Sequence, residues 1–69
     1  MSNHEIELRF TYHAPKPGQP EIYTGIREHA RRLAQVIVVD VPEGPEKILA
    51  ITKLEEAVMW ANAGVARRG

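Results

Sequence analysis

Five prolines divide the 69-residue chain. Pro15, Pro17 and Pro20 fall within the stretch Ala14-Pro15-Lys16-Pro17-Gly18-Gln19-Pro20, and Pro42 and Pro45 bracket Gly44 in a second. Proline fixes φ and carries no amide donor, so neither stretch continues a helix or joins a sheet ladder. Each stretch also ends in a helix start. Pro20-Glu21 and Pro45-Glu46 put a proline where its missing N–H costs nothing and an acid at the positive end of a helix dipole. Beyond the first start, Ile22, Ile26, Ala30, Leu33 and Ile37 recur at three- and four-residue steps and predict a helix over 20–41. Val36-Ile37-Val38-Val39 at its end is β-branched, which leaves a strand reading open for that run. Beyond the second start, Ile51, Leu54, Val58, Ala61 and Val65 predict a helix over 45–68, with Arg67 and Arg68 suited to its negative end. The connection is short, so the two helices are expected to be antiparallel neighbours.

Ahead of the first proline, Ile6, Leu8, Phe10 and Tyr12 alternate with polar residues and would share one face of an extended segment. A lone strand has no ladder partner, so residues 1–19 are expected to form an extended arm and proline loop packed on something else. The expected fold is therefore all-α: one domain, 1–69, an antiparallel two-helix hairpin with an extended N-terminal arm.

Such a hairpin is too small to cover its own apolar surface. From Ala57 to Ala66 the second helix reads Ala-Val-Met-Trp-Ala-Asn-Ala-Gly-Val-Ala, with Asn62 the only polar side chain. A helix apolar all round is buried all round. Small chains are commonly stapled by disulfides, a metal or oligomerisation. There is no Cys, and His4, His13 and His29 stand at spacings that fit no common metal motif. Neither a metal nor a cofactor is expected, and a homo-oligomer is. Asn62 is either exposed or a buried polar group that fixes the register of that assembly.

Nine basic and nine acidic residues cancel, which argues against binding duplex DNA through a basic surface. Residues Met1–Glu5 lack the basic start of a secretory signal, and no stretch approaches a membrane span, so a cytosolic chain with no membrane role is expected. The charges are nonetheless segregated. An antiparallel hairpin collects Arg27, Arg31 and Arg32 with Arg67 and Arg68 toward one end, and Asp40, Glu43 and Glu46 at the turn. Arg27 and Arg31 share a helix face. Guanidinium forks suit phosphate, and Tyr12, Tyr23 and Trp60 are rings on which a base could stack. The same arginines would serve equally as a solvated face, and the same rings as core. Catalysis is not expected: there is no Gly-rich phosphate loop, no Cys, and Ser2 is the only serine.

Phe10-Thr11-Tyr12-His13, the proline loop, Tyr23, Ile26-Arg27, and above all Ala50-Ile51-Thr52-Lys53-Leu54-Glu55-Glu56-Ala57-Val58-Met59-Trp60-Ala61-Asn62-Ala63 with Ala66-Arg67 resemble the hairpin domain of phage anti-CBASS and anti-Thoeris sponge proteins, closer to the anti-CBASS branch. The resemblance covers about residues 10–67. It implies a non-enzymatic protein that sequesters cyclic nucleotide immune signals in the cytoplasm of the infected host. It also implies a homohexamer, with cyclic dinucleotides held between paired protomers and cyclic trinucleotides where three protomers meet. Carried onto this sequence, Tyr12 would stack on a base, Arg27 would meet a phosphate, and Arg67 would contact the second pocket, with Arg31 and Arg68 as neighbours. Gly44-Pro45 departs from the family, which tends to have Ser-Arg at the turn. The residues by themselves leave a structural or protein-interaction hairpin open as the alternative, and a small nucleic-acid binder as a third reading.

Overall fold

The computed structural model describes residues 1–69 and contains three helices and no strand: α1 (Asn3–Phe10), α2 (Gln19–Asp40) and α3 (Pro45–Arg68). The helix α1 corrects the expectation of an extended arm over this part of the chain. Ser2 caps it, its hydroxyl accepting from the Glu5 amide at 3.1 Å. Glu5 lies in the first turn and Arg9 in the last, as the helix dipole favours. With no partner strand to complete a ladder, internal helical hydrogen bonds satisfy this backbone where an extended one would leave it open. Extended backbone begins only at Thr11, with φ −103° and ψ 141°. His13 then turns back, its Nε2 lying 2.8 Å from the Leu8 carbonyl oxygen.

Gly18 starts α2 from the left-handed region, at φ 86° and ψ −17°, the one position in the chain where glycine's freedom is needed. The run Val36–Val39 is helical, so the strand reading of it does not hold. At the turn, Gly44 has an extended backbone with φ 161°, and α3 opens without a side-chain cap. Lys47, at 8% exposure, reaches Glu43 at 2.6 Å and tethers the turn to the first residues of α3.

The two long helices run antiparallel, and one side chain ties their ends. Gln19, 6% exposed, accepts from the Lys16 amide at 2.9 Å and donates to the Val65 carbonyl at 3.2 Å. Lys16 Nζ donates to the Gly69 carbonyl at 2.7 Å. The half-buried stripe of α2 passes through Tyr23, Ile26, Ala30, Ala34 and Ile37, and that of α3 through Ile51, Leu54, Val58, Asn62 and Val65. Ile22, Leu33 and Ala61, expected on these stripes, lie to one side and stay exposed.

No apolar residue of the chain is buried. The Cα extents are 45 × 29 × 12 Å, so the molecule is a slab one helix thick, with both broad faces open. Its radius of gyration is 15.2 Å, whereas a compact chain of this length has about 11 Å. Its accessible surface is 5515 Å², against about 4,400 Å² for a compact monomer of this mass.

Candidate functional site

The basic residues separate into neutralised and free ones. Arg68 forks onto Glu5, one guanidinium nitrogen lying 2.7 and 3.2 Å from the two carboxylate oxygens. Arg9 shares the same carboxylate at 3.7 Å. Arg31 pairs with Glu28 at 3.1 Å one helical turn away. Arg27 has only a long hydrogen bond to the Thr24 hydroxyl, 3.4 Å, and no ion pair. Arg32 and Arg67 have neither in this chain. Of the four expected ligand residues, Arg27 and Arg67 thus offer unneutralised guanidinium groups, Arg31 a neutralised one, and Tyr12 a ring that is 84% exposed.

The single chain does not gather these four around one cavity. Arg67 lines a hollow of about 230 Å³ with Met59, Trp60 and Ala63 on the outer side of α3. Trp60 and Arg67 are two helical turns apart, a spacing that puts them on one face. The hollow combines an aromatic plane with a free fork, which suits a base joined to a phosphate. Tyr12 and Arg27 line no common cavity. Tyr12 lies in the extended segment after α1, and Arg27 on the exposed side of α2. The hollow at the start of α2 is lined by Pro20, Glu21, Thr24 and Gly25. The Glu21 carboxylate there opposes an anion, which removes the helix N-terminus as a phosphate seat.

The largest apolar feature is a groove of about 300 Å³ between the long helices. Ile26, His29, Ala30 and Leu33 of α2 line it, with Leu54, Ala57, Val58 and Ala61 of α3. Ala57 and Ala61 keep the α3 wall low between Leu54 and Val58, leaving room for another helix. His29 is turned onto its own helix, with Nδ1 2.7 Å from the Gly25 carbonyl. In the seam itself, Asn62 Oδ1 is buried without a hydrogen-bond partner.

The family model for Acb2/Tad1, hairpin domain, matches residues 2–66. The chain belongs to this family of anti-CBASS and anti-Thoeris sponges. The matched span takes in α1 and the proline loop as well as the hairpin, so α1 is part of the Acb2/Tad1 domain. Tyr12, Arg27 and Arg31 fall within the span, and Arg67 lies one residue past it. Neither a curated protein nor a solved structure matches the chain. No helix is long and apolar enough to cross a membrane.

Proposed function

We propose that this Acb2/Tad1 hairpin protein is a phage anti-defence sponge that works as a homo-oligomer, a hexamer by resemblance to the anti-CBASS branch. It sequesters cyclic dinucleotides, and cyclic trinucleotides at a second pocket, in the host cytoplasm without cleaving them. The observation that carries the reading is the hollow that joins the free Arg67 guanidinium to the exposed Trp60 ring, on a slab that cannot close a pocket by itself. Tyr12 and Arg27 stand apart in one chain. A pocket that uses both is completed by a neighbouring protomer, as the family resemblance implies for dinucleotides. Arg67 with Trp60 supplies the second surface.

Assembly is supported by area. The chain exposes roughly 1,100 Å² more than a compact protein of its mass. A standard interface takes about 800 Å² from each partner, so the excess covers one such contact with about 300 Å² to spare. The groove along Ala57 and Ala61 provides a face for a second helix at close approach.

The role is stoichiometric. Binding is supplied by stacking and charge-assisted hydrogen bonds, with no nucleophile or acid–base pair involved. Incubating excess protein with a cyclic dinucleotide, then heating and extracting, is expected to return the intact compound on chromatography. Linear products that accumulate with time would make the protein a phosphodiesterase and overturn the sponge reading.

A further inference from the structure

We infer that the ion pair between Glu5 and Arg68 is a clasp that positions Tyr12. The inference rests on the reading of Tyr12 as the ligand-stacking ring, and it assigns Glu5 and Arg68 as positioning residues. The helix α1 has no buried residue. Ile6 is 40% and Phe10 84% exposed and, of the apolar residues, only Leu8 is half-buried, so apolar packing holds α1 weakly within the single chain. The only hydrogen bonds between α1 and the hairpin are those that Arg68 donates to the Glu5 carboxylate, at 2.7 and 3.2 Å. Glu5 is the better shielded partner, its side chain 26% exposed against 61% for Arg68. Arg9 adds a second positive charge to the same carboxylate at 3.7 Å.

Tyr12 follows the last residue of α1 by two positions. The contact between His13 and the Leu8 carbonyl folds this short segment back onto α1. The place of the ring is therefore set by the place of α1, and the place of α1 by the Arg68 guanidinium on the last turn of α3. The clasp also accounts for Arg68: its guanidinium is engaged within the chain, whereas the neighbouring Arg67 remains free for a ligand.

The test is a double-mutant cycle with Glu5→Gln, Arg68→Gln and the pair together, read by amide hydrogen exchange over Ile6–Phe10 and by the backbone chemical shifts of Tyr12 and His13. These readouts need no nucleotide. Each single variant should speed α1 exchange by about two- to fivefold, the range of a partly exposed ion pair. Each should also shift Tyr12 and His13, and the double variant should add nothing to Glu5→Gln, which releases Arg9 as well as Arg68. Raising the salt should loosen α1 in the parent and change little in the variants. Dinucleotide affinity should fall by about the same factor. Additive effects, or unchanged exchange, would overturn the clasp. Faster exchange with unmoved Tyr12 and His13 signals would overturn its positioning role. A parent that binds no cyclic dinucleotide would instead remove the ligand reading, and the exchange data would still decide the clasp.

Discussion

Ala61→Glu separates a slab that is complete from a slab that is one part of an assembly. In the single chain Ala61 is exposed and lines the open groove between α2 and α3. A glutamate there could extend into water, and exposed substitutions of this kind stay within about 0.5 kcal/mol of neutral. If a neighbouring protomer covers the groove, the same carboxylate is taken out of water without a partner. The cost is then several kcal/mol, on the order of 3–5 for an uncompensated buried charge. That is on the order of a hundredfold or more in association. Light scattering coupled to size exclusion, with thermal unfolding on the same samples, reads both quantities. The parent should be a discrete oligomer at micromolar concentration. The variant should be smaller or unfolded. A well-folded parent monomer, or a variant with the parent's mass and melting point, would refute the reasoning.

Other perturbations test separate parts of the structure. Gly18→Ala should destabilise the protein by about 1–2 kcal/mol in chemical denaturation, purely from its left-handed backbone, because an added Cβ meets nothing within 4 Å. Ser2→Ala removes the cap of α1 and should cost that helix about 1 kcal/mol, seen as faster amide exchange confined to residues 3–10. Asn62→Leu removes the unpartnered oxygen from the seam; if Asn62 fixes the register, native mass spectrometry should show several oligomeric states in place of one, and a single sharp species would refute that role. Tyr12→Ala and Arg27→Ala should each lower cyclic dinucleotide affinity by roughly 1–3 kcal/mol while sparing trinucleotides, and Arg67→Ala should do the reverse. Equal loss of both ligands from every variant would indicate one shared pocket.

The long helices were legible because proline acts locally: Pro20 and Pro45 stand in the first turns of α2 and α3. The helix α1 was misread because Ile6, Leu8, Phe10 and Tyr12 happen to alternate. Its start signal, Ser2-Asn3-His4-Glu5, was present and local, a serine three residues ahead of a glutamate. The inward stripes came out rotated for a different reason. Both long helices carry more apolar residues than one seam can use, so periodicity cannot choose Tyr23 and Ala34 over Ile22 and Leu33. Asn62, not Ala61, lies in the α3 seam, against the usual cost of burying an amide. At the candidate site, residue types were readable but their pairing was not. Arg31 with Glu28 is a one-turn spacing that the sequence displays. Glu5 with Arg68 spans nearly the whole chain, and only the hairpin's direction and the placement of α1 bring them together.

Calorimetric titration of the purified oligomer with a panel of cyclic di- and trinucleotides tests the central claim most directly, because a sponge must bind its signal stoichiometrically in the absence of any other component. The expected result is a saturable heat with at least one cyclic dinucleotide, at a fixed ratio of ligand to protomer. Absence of heat with every member of the panel, from a protein that is folded and oligomeric, would contradict the sponge reading and leave an interaction hairpin whose arginines only solvate its surface.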